Sequence, residues 1–279
     1  VFALTWVCWF AAAIAGTNGA GEGLTTTLML LGLITPAVTA IVTICTSKSP
    51  ELKKDFKEKM LGAFRVKPII VLLSILIFGA VIASSILLST LFGQPLSQFS
   101  FVGEFSFSIG GIPTLLTLIV TALLEELGWR GYAEDAIGSY CNWWNESLIS
   151  GSLWALWHLP LFFIPGSYQC GLLQQNPWYV VNFFVGILPL DILFAWVYIK
   201  NKRSIFACMF FHFSVNFLQE QIAMTQVTKC LETGVLYIAA AIIVLANKDL
   251  FFEKRHIGNL LGEVQAVPIE NKLKQRKTL

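Results

Sequence analysis

The sequence predicts an all-α integral membrane protein: a polytopic bundle of about eight transmembrane helices with a reactive site in the cytosolic half of the membrane. Three observations predict this. Of the 279 residues, 56% are hydrophobic and 13% charged, with a mean hydropathy of +0.69, whereas soluble domains average roughly 45–50% and about 25%. The apolar residues come in blocks of 16 to 26, enough to cross a hydrocarbon core of ~30 Å at ~1.5 Å per residue; a soluble helical domain would show amphipathic stripes instead. Finally, a few titratable residues lie inside the blocks, where they are costly unless they face a cavity.

Apolar runs between punctuating residues place the spans at 1–16, 25–46, 68–93, 111–131, 147–165, 178–199, 204–220 and 233–250, with ends uncertain by about 2–4 residues. Gly and Asn over 16–23 separate the first pair, a charged segment 47–67 the second and third, and Pro165-Gly166 and Asn176-Pro177 punctuate the middle. No basic region precedes the first run, so no full signal peptide is visible. No repeat or soluble second domain is evident. The organisation expected is one transmembrane catalytic domain over 1–250 and a basic cytosolic tail over 251–279, containing His256 and a short amphipathic segment.

Lysine and arginine predict the orientation. Segment 48–67 carries seven, Lys200–Arg203 three and the tail from Lys248 seven; with Arg130 these are 18 of the 19 basic residues, and eight alternating spans put them all on one side. The positive-inside rule makes that side, and both termini, cytosolic; only Lys229 falls on the other. Cytosolic placement of the sequon Asn145-Glu146-Ser147 would leave it unmodified. The six cysteines show no metal spacing, and Cys170 and Cys230, both in external loops, are a possible pair.

Inside the spans stand Glu125, Glu126 and Arg130 in the fourth, His158 in the fifth, Asp191 in the sixth, and His212 and Asn216 in the seventh. Counted from the predicted cytosolic ends, Glu125 lies ~9 Å, His158 ~16 Å and His212 ~12 Å deep, one layer within boundary error. Residues four apart share a helix face, so His212 and Asn216 can offer N–H donors to one oxygen, and Glu126 can neutralise Arg130. Glu125, ~100° round the helix from Glu126, is left free. Peptide hydrolysis needs a base for water and donors for an oxyanion; Glu125 with His158 can serve as the first and His212 with Asn216 as the second.

Glu125-Glu126-x-x-x-Arg130, Trp154-x-x-x-His158 and His212-x-x-x-Asn216, in this order on separate spans, resemble the type II CAAX prenyl endopeptidase (Ras-converting-enzyme) family. That family sits within a wider superfamily of CAAX proteases and bacteriocin-processing enzymes. The resemblance covers roughly 110–220, and the local sequence Leu127–Tyr132 is more similar to prokaryotic members. It implies an eight-helix intramembrane protease, opening to the cytosol, that removes the last three residues of a prenylated CAAX protein. The family's catalytic glutamate and histidine match Glu125 and His158, and its oxyanion pair matches His212 and Asn216. A prokaryotic cell membrane is the implied location, or the endoplasmic reticulum membrane in a eukaryote. The partners implied are a prenylated protein and the bilayer, with no nucleic acid.

Other readings remain open on the residues alone. Glu125 and Glu126 can be helix-end charges beside Arg130, His158 a core histidine between tryptophans and Asn216 a bridge between helices; Asp191 either lines the same cavity or, the preferred reading, is a structural partner of a neighbouring helix. The pairs Trp143–Trp144, Phe162–Phe163 and Phe210–Phe211 read as lipid-facing or interfacial. Glu125, His158 and His212 form a possible zinc set, but without HExxH and with no second base beyond Glu126 a metal-free mechanism is preferred, with no cofactor. The rival functions are a zinc-dependent peptidase of unprenylated peptides such as bacteriocin leaders, an ion-coupled transporter and a non-catalytic scaffold.

Overall fold

A computed structural model describes residues 1–19, 21–62, 66–103 and 114–253. Every predicted apolar block within them is helical: α1 (Phe2–Thr17), α2 (Glu22–Thr46), α4 (Pro68–Ser89), α5 (Thr114–Gly128), α7 (Trp143–Trp157), α9 (Pro177–Lys200), α10 (Ile205–Gln221) and α11 (Gln226–Ala246). Four helical segments, Glu22–Thr46, Pro68–Phe92, Pro177–Lys200 and Gln226–Ala246, are long and apolar enough to cross a membrane. A fifth candidate is the pair Trp143–Phe163 and Tyr168–Gln175, bent by 78°. The chain is thus an all-helical, multi-pass membrane protein. Among the described residues the β-structure amounts to one isolated bridge, Phe101 to Ile222.

Between these run short helices that hydropathy does not reveal: α3 (Pro50–Met60), α6 (Glu134–Gly138), α8 (Tyr168–Gln175) and α12 (Lys248–Phe252). The charged segment 47–67, expected as a loop, folds as α3 because Ser49 caps it, accepting from Leu52 N at 3.1 Å, with Pro50 in its first turn. Caps also move predicted ends. Asn142 accepts from Asn145 N, so α7 starts at Trp143 rather than 147; Thr225 accepts from Thr228 N, so α11 starts at Gln226 rather than 233. The tail expectations beyond Glu253, His256 included, and the start of the fourth span at 111–113 lie outside the described residues.

The bundle packs closely where side chains are small. α5 crosses α2 at Gly128, where a Cβ would stand 2.4 Å from Pro36 Cβ. Past Gly128 the chain makes a π-helical turn, Trp129–Ala133, which carries Arg130 inward. At one end the basic segments meet one another. Arg203 donates to both oxygens of Asp55 at 2.8 Å and pairs with Asp135. Lys59 pairs with Asp135 and, at 3.1 Å, with Asp55, and the Lys67 amide donates to Asn201 at 2.7 Å. Burial raises the Asp135 carboxyl, but Lys59 and Arg203 together hold it below its ordinary value. At the other end Val102 N donates to Gln221 O and Ala223 N to Ser100 O, seating the segment after α4 on the α10–α11 turn.

Candidate active site

Glu125 and Glu126 are neighbours on α5 with opposite surroundings. Glu125 is buried and accepts from Trp154 Nε1 at 3.0 Å. Glu126, fully buried, meets His212 Nδ1 at 2.7 Å and Arg130 at 3.3 and 3.4 Å. The expected Glu126–Arg130 pair is present as part of something larger: Arg130 also contacts Glu134 at 2.7 Å and Asp191, and its guanidinium lies 4.4 Å over Phe194. Asp191 therefore does what its structural reading supposed. Glu134, and Glu146, which the sequence marks only as the middle of a sequon, flank rather than interrupt apolar runs and are buried beside them.

His158 is the residue that caps α7, one position past its last turn. Its Nδ1 lies 2.8 Å from Trp154 O; a carbonyl only accepts, so Nδ1 carries the proton and Nε2 remains available. The ring packs edge-on against Trp157 and Phe183, with centroids at 4.9 and 5.5 Å. His212 sits between Trp154 and Phe194, each at 5.5 Å. With Nδ1 committed to Glu126, a donor at Nε2 requires a second ring proton, or one on Glu126. Trp154 thus touches all three groups: its N–H holds Glu125, its carbonyl holds His158 and its ring packs on His212. The sequence names Trp154 only as a motif position, since such a bridging role is invisible in spacing.

Glu125, Trp154, His158, His212 and Asn216 all line one cavity of about 940 Å³. Its wall is partly apolar, with Met29, Leu30, Leu33, Leu118, Ile187 and Leu190. It continues to Gly166–Gln169, Ala223, Gln226 and Lys229. From the reactive groups the cavity extends toward the end of the bundle opposite the basic segments. On the side near Arg130, the rings of Trp154 and Phe194 pack on the buried guanidinium and its ionic network. The depth reckoning also shifts. Since α7 begins at Trp143, His158 lies ~22 Å along it from the basic end, not ~16 Å.

Other expectations change in detail. In each aromatic pair read as lipid-facing, one ring (Trp143, Phe162, Phe211) is buried in the core and its neighbour is more exposed, because residues one apart point ~100° apart on a helix. Cys170 and Cys230 are free thiols. Among the described residues no group of three His, Cys, Asp or Glu side chains is placed so that it could hold a metal ion.

Residues 107–218, which contain Glu125, Glu126, Arg130, Trp154, His158, His212 and Asn216, match the family model described as Type II CAAX prenyl endopeptidase Rce1-like. The chain is also 42% identical over 253 residues to CAAX prenyl protease 2 of Methanococcus maripaludis, covering 91% of this chain and 93% of that protein. The chain belongs to the type II CAAX prenyl endopeptidase family. As a member it is a peptidase of the membrane, which removes the transporter and scaffold readings. For this CAAX endopeptidase, burial of the ionisable groups acquires a purpose: a hydrolase acting within a membrane needs polar groups there.

Proposed function

We propose that this enzyme removes the C-terminal tripeptide from prenylated CAAX proteins, with Glu125 and His158 activating water and His212 and Asn216 holding the oxyanion. The observation that carries this reading is the convergence on one cavity of Glu125, His158 and His212, each gripped by Trp154. Water bound between Glu125 and His158 Nε2 gives up a proton as its oxygen attacks the carbonyl of the prenylated cysteine. The carbonyl oxygen, now negative, accepts from His212 Nε2–H and the Asn216 amide. Collapse breaks the C–N bond, the held proton passes to the leaving amine, and a prenylcysteine carboxylate and a tripeptide result. Glu126 positions His212 through Nδ1, and Arg130 anchors Glu126. The apolar wall around Met29, Leu33 and Leu118 suits the prenyl chain.

The mechanism requires no metal; activity abolished by a chelator and restored by zinc would overturn that part. The decisive assay mixes purified protein with a fluorogenic farnesylated CAAX peptide, its unprenylated twin and Glu125→Ala. Cleavage is expected only of the lipidated peptide and only by the wild type. Cleavage of the unprenylated peptide equally well would favour a bacteriocin-type substrate instead.

All eight long helices are proposed to cross the bilayer, as one catalytic domain over 1–250 with the tail 251–279 outside it. Orientation is drawn two ways. The basic segments argue for a cytosolic position of their own end, whereas a substrate made in the cytosol needs the cavity mouth there. The mouth is proposed to face the cytosol, since two of the basic groups at the far end, Lys59 and Arg203, are paired with carboxylates of the protein. The exposed positions Lys54 and Ser97 lie at opposite ends. On intact cells an impermeant maleimide should label Lys54→Cys at once and Ser97→Cys only after lysis; the reverse pattern would restore the orientation drawn from charge.

A further inference from the structure

Lys229 is set apart by its position: it is the one Lys or Arg among the described residues that line the cavity. It stands half-buried in the first turn of α11. Its Nζ lies 3.3 Å from Tyr168 Oη and 3.5 Å from Gln219 O, with the ammonium 4.9 Å over the Tyr168 ring. Among the described residues no carboxylate comes within ion-pair distance of it. Glu232, one turn along the helix, is held by Gln219 Nε2 at 2.6 Å. Glu232 feels the Lys229 charge; the other acidic groups lining the cavity are Glu22, Glu125 and Glu220, and Lys229 is the one Lys or Arg that an incoming anion meets there.

The distance from the reactive groups is the second observation. His212, Asn216 and Gln219 all line the cavity from α10; seven residues return to the same helix face and rise ~10 Å. Lys229 Nζ, in contact with Gln219 O, therefore sits about one extended tripeptide beyond His212, since three residues of extended chain span ~10 Å. The neighbouring helix also touches both places. Phe183 packs on His158, and the adjacent Asn182 donates Nδ2–H to Lys229 O at 3.3 Å.

Resting on the endopeptidase reading above, we propose that Lys229, with Tyr168 beside it, binds the free α-carboxylate of the substrate's C-terminal residue. The bound carboxylate sets the register, so that the bond three residues upstream meets Glu125. An ammonium–carboxylate contact at a partly desolvated site is charge-assisted and discriminates strongly against a neutral end. Such a subsite explains how an enzyme with a wide cavity cuts at a fixed distance from a chain end.

The test uses the full-length protein and one farnesylated peptide in two forms, C-terminal acid and C-terminal amide, with kcat/KM measured for each. The wild type should prefer the acid by ~10- to 100-fold. Lys229→Met should bring the acid-to-amide ratio close to one, and Lys229→Arg should keep the preference. Because the ratio compares two substrates on one protein, partial misfolding does not disturb it. Equal cleavage of both forms by the wild type, as expected if an anionic lipid headgroup occupied Lys229, would overturn the assignment, as would a preference that survives Lys229→Met. Failure of the wild type to cleave either form, or cleavage by Glu125→Ala, would instead overturn the endopeptidase reading on which the assignment rests.

Discussion

At the end of the bundle that carries the basic segments, Arg130, Lys59 and Arg203 each touch two or three carboxylates and are shut away from solvent. At the cavity end, Glu125, His158, His212 and Lys229 all line open space. Both regions bury ionisable groups, which is expensive in either place. In the first, each of these three cations meets carboxylates within the protein, which ties helices to one another. In the second, compensation is incomplete, and the remainder is what a substrate can use. Glu126 is the joint between them, bonded to Arg130 on one side and His212 on the other.

If that division is right, substitutions at the two ends should fail differently. The largest effect is expected from Glu125→Ala: loss of ~10³-fold or more in kcat, consistent with removal of a general base, with the melting temperature in detergent little altered. Next, Arg130→Met should leave Glu126, Glu134 and Asp191 buried without their cation and lower stability by ~3–5 kcal/mol, seen as a large fall in melting temperature before any assay is run. A stable Arg130→Met enzyme would break the comparison. His212→Ala and Asn216→Ala should each lower turnover by roughly ten- to a thousandfold, the range for loss of an oxyanion donor, again with little change in melting.

The smallest effect concerns pH at the compensated end. Asp135 titrates below its ordinary value of 3.8 in the folded protein because Lys59 and Arg203 outweigh its burial. A depressed carboxylate contributes stability above the ordinary value, and that stability is lost as the pH falls through the folded one. Melting temperature should therefore decline as the pH drops below about 4. Asp135→Asn should be less stable at neutral pH and show a shallower decline in acid. An unchanged acid profile would mean that the Lys59–Asp135–Arg203 cluster does not hold this end together.

Much of this was legible in the linear sequence, and the reasons are local. Hydropathy and helix period are properties of neighbouring residues, so the blocks at 25–46, 68–93 and 178–199 match helices at Glu22–Thr46, Pro68–Ser89 and Pro177–Lys200 within a few residues. Motif spacing likewise put His212 and Asn216 on one face. What spacing misses is contact between segments far apart in the chain. Trp154 holds Glu125 from 29 residues away, and Glu126 reaches His212 across 86. Glu134 and Glu146 look like surface acids until the π-helical turn and α7 enclose them.

The chain's own chemistry determined that it would be helical, lie in a membrane and carry carboxylate and imidazole groups there, because a backbone in lipid must satisfy its hydrogen bonds within the helix and because charges in such helices are conspicuous. Only the packed bundle decided where those groups meet and which end of the cavity is open. Whether space is left between helices depends on how side chains such as Trp154, Phe194 and Arg130 fill one end and not the other, a property of the whole assembly that no single segment contains.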